Sequence, residues 1–95
     1  MAIVKIDQIA TGQATTVAAS DTIVTGLRGP LTCVQLTFNG APDETNKFLQ
    51  ADIGDQAGTP AKGSFLLKSY KDTDADAAII AATGFGRVVN WVAFA

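Results

Sequence analysis

Along residues 31–38, Thr32, Val34, Leu36 and Phe38 fall on one face of an extended chain and Cys33, Gln35 and Thr37 on the other. A period of two with one apolar face predicts a strand that rests one side on a core and leaves the other half wet. Ile23, Thr25 and Leu27 alternate with Thr22, Val24 and Gly26 and predict a strand before it. Residues 48–53 set Leu49, Ala51 and Ile53 against Gln50 and Asp52, and residues 65–70 set Leu66 and Tyr70 against Phe65 and Leu67. The last run, residues 87–95, differs in kind. Val88, Asn90, Val92 and Phe94 alternate with Val89, Trp91, Ala93 and Ala95, so both faces are largely apolar. Such a strand needs cover on both sides, and a small domain has little mass to supply it. A partner chain is the natural second cover.

The N-terminal run shares this property more weakly. Val4 and Ile6 lie on one face and Ile3 and Ile9 on the other, interrupted by Lys5 and Asp7. Residues 1–9 therefore read as an edge strand or an arm, blunted by its charges or paired by a neighbour. Turn residues punctuate the rest, among them Gly12, Gly26, Gly29-Pro30, Asn39-Gly40, Gly54-Asp55, Gly63, Gly84 and Gly86. Short strands between frequent turns predict an all-β chain: a small antiparallel β-sandwich, jelly-roll or immunoglobulin-like, as a single domain over residues 1–95. One segment competes with that reading. Residues 73–83 are Ala-rich, with Asp72 or Thr73 as an N-cap, Asp74 and Asp76 suited to a helix dipole and Gly84 as a stop, which predicts a short helix. The alternative is a loop ending in a short strand at Ile79-Ile80.

Composition narrows the function. The chain has 95 residues, 47% hydrophobic and 17% charged, with a net charge of −2. That balance lacks the basic stripe needed to displace counterions from nucleic acid, so no nucleic-acid partner is expected. The absence of histidine removes every mechanism that needs an imidazole. No apolar run approaches the ~18 residues of a bilayer span, and no leader with an apolar h-region opens the chain, so neither a membrane partner nor secretion is expected. The single cysteine, Cys33, cannot form an internal disulfide and reads as a small buried hydrophobe.

Candidate chemistry is thin. Asp72, Asp74 and Asp76 have the alternate spacing that opens a calcium loop, but the positions that require Gly and Glu hold Ala77 and Thr83. A solvated acidic turn is the plainer reading. Gly84-Phe-Gly86 begins like a phosphate loop, yet its third glycine position is Val89, so the two glycines read as a turn into the last strand. Ser64, Ser69 and Lys68 make no recognisable nucleophile and base pair. No catalytic residue, metal ligand or cofactor is assigned, and no enzymatic activity is expected.

The C-terminal segment Thr83-Gly-Phe-Gly-Arg-Val-Val-Asn-Trp-Val-Ala-Phe-Ala95 resembles the ends of small β-sandwich virion proteins of tailed bacteriophages, where an aromatic-Gly-basic turn leads into a Val-x-Trp-Val/Ile-Ala strand. Phe65-Leu-Leu-Lys-Ser-Tyr-Lys-Asp-Thr73 is similar to their penultimate strand and its Asp/Thr-rich loop. The resemblance implies a structural component of the virion, foremost a capsid decoration (cement) protein on the capsid exterior, assembled in the host cytoplasm. Its implied partners are the major capsid protein and copies of itself, as a trimer. A tail or fibre domain that binds a receptor glycan is the alternative, with Tyr70, Asp72 and Asn90 as its candidate contacts. For the adhesive role the expected interface residues are Ile3, Val4 and Ile6 in the N-terminal run, and Val89, Trp91 and Ala93 in the last strand if that face lies away from the core.

Overall fold

The computed structural model describes residues 8–73 and 78–95. Among the described residues seven strands follow one another: β1 (Ile9–Thr15), β2 (Ser20–Val24), β3 (Cys33–Phe38), β4 (Phe48–Asp52), β5 (Ser64–Asp72), β6 (Ile79–Ala81) and β7 (Val88–Phe94). They form two antiparallel sheets. Sheet A has the order β1-β7-β3; sheet B has the order β2-β5-β4, with β6 also paired to β5. The sheets pack as a small β-sandwich. The last strand is thus the middle of its sheet, between the first strand and the third.

Alternation sets the core. In β7, Val89, Trp91 and Ala93 point inward and are buried, whereas Val88, Asn90, Val92 and Phe94 are only partly covered. In β5, Phe65 and Leu67 are buried on the facing sheet. Phe65 and Trp91 meet edge to face, with ring centroids 5.8 Å apart and planes inclined by 69°. One aromatic from the central strand of each sheet therefore joins the layers, in a geometry that favours the pair beyond area burial alone. Val34, Leu36 and Phe38 of β3, Leu49 and Ala51 of β4, and Ile23 of β2 pack round them.

The strand β1 escapes the sequence pattern because its inward positions are Ala10, Gly12 and Ala14. Their small size has a cause across the ladder. Gly12 is the register partner of Trp91, and a Cβ built on it would lie 2.6 Å from Trp91 Cζ2. Gly12 is thus a site of close packing inside a strand, not the turn its identity suggests.

Three further expectations change. Residues 73–83 do not form the short helix in their described part, since Ile79–Ala81 is strand β6 against β5; residues 74–77 lie outside the described residues. Cys33 is exposed, because it shares parity with Gln35 and Thr37 on the outward side of β3. Val89, Trp91 and Ala93 are core residues and not an outer surface: flanked by Ala14, Gly12 and Ala10 on one side and by Phe38, Leu36 and Val34 on the other, they face sheet B.

One polar side chain holds the end of the sandwich. Gln56 adopts a positive φ of 60° in the β4–β5 connection. Its Oε1 accepts hydrogen bonds from the N–H groups of Leu31 and Gly63, both at 2.9 Å. Its Nε2 donates to the carbonyls of Ile53 at 2.6 Å and Ser64 at 2.8 Å. Four backbone groups from three stretches of chain depend on one amide.

Two substitutions follow from this packing. Gly12→Ala forces a methyl into the indole and should lower stability by about 1–3 kcal/mol, the usual cost of overpacking; an unchanged urea midpoint would show that β1 yields freely. Gln56→Ala strands partly buried backbone groups and should cost about 2–4 kcal/mol by loss of several hydrogen bonds, read as a lower melting temperature with the native strand spectrum retained.

Candidate interaction face

The two sheets differ in charge. None of the 7 Lys/Arg or 9 Asp/Glu residues of the chain falls in β1, β7 or β3. Sheet B carries Asp21, Asp52, Lys68, Lys71 and Asp72 within its strands. Register brings the outward side chains of sheet A into rows. Ile9, Phe94 and Cys33 form the first, Thr11, Val92 and Gln35 the second, and Gln13, Asn90 and Thr37 the third. Thr15 and Val88 close the face. Gln13 Nε2 donates to Asn90 Oδ1 at 2.9 Å, so the most polar row is partly satisfied within itself. Ile9 is 60% exposed, and no described strand covers this face.

Removing such a surface from water desolvates no ion, and depletion of charge is a mark of the buried centre of protein interfaces. The face is therefore chemically prepared for contact with another uncharged surface. Among the described residues both β1 and β3 are edge strands of sheet A, and neither holds a charge or a proline within its span.

Charges are tied down elsewhere. On the outer face of sheet B, Lys68 Nζ lies 2.9 Å from Asp52 Oδ2, and the Tyr70 hydroxyl donates to Gln50 Oε1 at 2.6 Å. Lys47 Nζ lies 2.8 Å from Asp72 Oδ1. Arg87, just before β7, pairs with Asp43 at 3.0 Å. Hydrogen bonding holds three carboxyls below their ordinary pKa: Asp43 chiefly through the Thr45 hydroxyl, Asp52 through Lys68, and Asp72 through Lys47. Asp52 in turn raises the pKa of Lys68.

Of the residues singled out from sequence, Ile3, Val4 and Ile6 lie outside the described residues. The proposed glycan contacts do not converge: Tyr70 is on the outer face of sheet B and Asn90 on that of sheet A, while Asp72 is engaged by Lys47. Asp74 and Asp76 of the acidic run lie outside the described residues. Among the described residues no cluster of three or more His, Cys, Asp or Glu could hold a metal ion, and no helix is long and apolar enough to cross a membrane. Gly86 takes a φ of 85° and its N–H donates to Thr16 O at 2.8 Å, which makes the expected turn into β7. The outer residues Val88, Val92 and Phe94 were half of the apolar alternation. What reading β7 alone omits is the signal that residues 8–20, 29–42 and 88–95 are all free of charge. Comparison with family models, curated proteins and solved structures finds no match for this chain.

The ion pairs set a pH dependence. Asp43, Asp52 and Asp72 have depressed pKa values in the fold, so their stabilisation is complete above the unfolded value near ~3.9 and is lost as pH falls through the folded values. Lys68 is raised, so its contribution is complete below about 10.4 and disappears as pH climbs through its folded value. The denaturant midpoint should hold level across neutral pH and fall below about pH 4, and Asp52→Asn should flatten that acid limb; an identical acid limb in the variant would contradict the assignment.

Proposed function

We propose that this protein is a non-enzymatic structural component of a tailed-phage virion, a capsid decoration protein that binds across junctions of the major capsid protein through the outer face of sheet A. The observation that carries the adhesive part is the absence of charge from all three strands of that sheet. The phage assignment rests on the resemblance of residues 83–95 and 65–73 to such virion proteins. In this reading β7 keeps its role as the contact strand, but the contact residues are Val88, Val92 and Phe94, with Ile9 beside them, and not the inward Val89, Trp91 and Ala93.

Size favours action in many copies. Three strands at ~4.8 Å spacing and seven residues at ~3.4 Å make a face of roughly 340 Å². A stable pairwise interface takes about 800 Å² from each partner. A single face contact is therefore weak, and cohesion has to come from repetition over an array or from a second point of attachment, where linked weak contacts reinforce one another. A decoration protein on the capsid exterior, in contact with the major capsid protein and with copies of itself, supplies that repetition. The tail or glycan reading has less support, because Tyr70 and Asn90 stand on opposite outer faces.

The test is attachment to purified heads of the phage whose genome encodes the chain. Val92→Lys places an unpaired ammonium in the middle of the face, and burying such a charge is costly. The variant should lose at least tenfold in head binding while Val92→Ala loses little. Equal binding by the lysine variant would remove this face from the contact, and heads imaged without the wild-type protein would remove the capsid reading.

A further inference from the structure

The sandwich has an open side where β3 and β4 come together. Each is the edge strand of its own sheet, and among the described residues neither of those edges is paired. Between them runs a groove of about 310 Å³ lined by Leu36, Thr37, Phe38, Lys47, Phe48 and Leu49. This shallow, open groove thus sets four apolar residues beside Thr37 and Lys47 and has backbone hydrogen-bonding groups along its rim, which an added strand can use. The β3 edge is the more receptive, since its six residues carry no charge and no proline.

We propose that this groove receives residues 2–7 of a second copy of the chain as an added strand on β3. The inference rests on the adhesive reading above and names copies of the chain as partners at a separate point of attachment. Two observations support the choice of occupant. Residues 2–7 match β3 in length, and their alternation sets Ala2, Val4 and Ile6 on one face and Ile3, Lys5 and Asp7 on the other. The first face is wholly apolar and suits the groove; the charges of the second then fall on the solvent side.

Reach excludes the chain's own segment. Ile9, Phe94 and Cys33 lie in one row across sheet A. A strand beyond β3 stands three spacings from β1, about 14 Å, which consumes roughly four residues of extended chain. Those residues are Val4 to Asp7, so the two aliphatic side chains fitted to the groove would be spent in the crossing. A second copy meets no such limit. Exchange of this kind joins sheets end to end and adds the second attachment that the small outer face requires.

The native Cys33 at the start of β3 makes the test direct. Whichever direction the added strand runs, one of its ends lies beside Cys33, so Ile3→Cys and Asp7→Cys are made separately in the full-length chain. On mild oxidation one of the two should give disulfide-linked dimers on a non-reducing gel, well above the background of the parent chain. Adding Val4→Asp and Ile6→Asp to that variant should abolish the link, and the same pair in the parent should weaken self-association at least tenfold in sedimentation while the strand spectrum is kept. Links within one chain, no link from either cysteine, or links that survive the aspartates would each overturn the proposal. Val92→Lys should leave the link intact. Loss of head binding in that variant without any cross-link would retain the adhesive face and reject strand exchange; a cross-link with unaltered head binding would do the reverse.

Discussion

The meeting of Phe65 and Trp91 is the contact on which this sandwich depends. Each comes from the central strand of its sheet, and their edge-to-face packing spans the gap between the layers. The neighbours are cut to fit. Trp91 is flanked across its ladders by Gly12 and Leu36, and Ala93 by Ala10 and Val34. A large ring set between a glycine and a leucine fills a space that a uniform layer of medium-sized side chains would fill less specifically. The position of β1 follows, because a strand bearing glycine at that row is the one that can lie beside the indole.

That arrangement determines what the molecule shows to its surroundings. Once Val89, Trp91 and Ala93 are turned inward, Val88, Asn90, Val92 and Phe94 must turn outward, since successive side chains of a strand alternate. The flanking strands then complete an outer face built from threonine, amide and apolar groups. Sheet B follows the opposite rule: its strands carry ions, and Lys68 and Asp52 pair across two of them. The molecule therefore has one charged sheet and one uncharged sheet.

The core is modest for the length of chain, and polar ties take up part of the work. Gln56 fixes the β4–β5 connection to the start of β3. Asp43 receives the amide and hydroxyl of Thr45 and pairs with Arg87, which joins the β3–β4 connection to the entry of β7. These contacts tie the connections at the ends of the sandwich to its strands. A tied frame with an uncharged face loses little conformational freedom on docking, and that suits association through repeated small contacts.

Much of the fold is legible in residue order. Alternation in residues 31–38, 48–53 and 65–70 determines both the strands and the faces they bury, because a period of two is a property of the local backbone. The strand β1 is not legible in this way: Ala10, Gly12 and Ala14 leave no apolar stripe, and their size makes sense only beside Trp91. The Ala-rich run before Gly84 satisfies helix rules locally, yet Ile79–Ala81 pairs with β5, where ladder partners outweigh a weak propensity. Cys33 was open to misreading because residue type suggested burial while strand parity required exposure. For β7 the sequence by itself determines that there are two apolar faces and that no charge interrupts them. Only the tertiary structure decides which face is core. The local pattern is nearly symmetric, and the choice is made by residues distant in the chain, Gly12 beside the indole and Phe65 across from it.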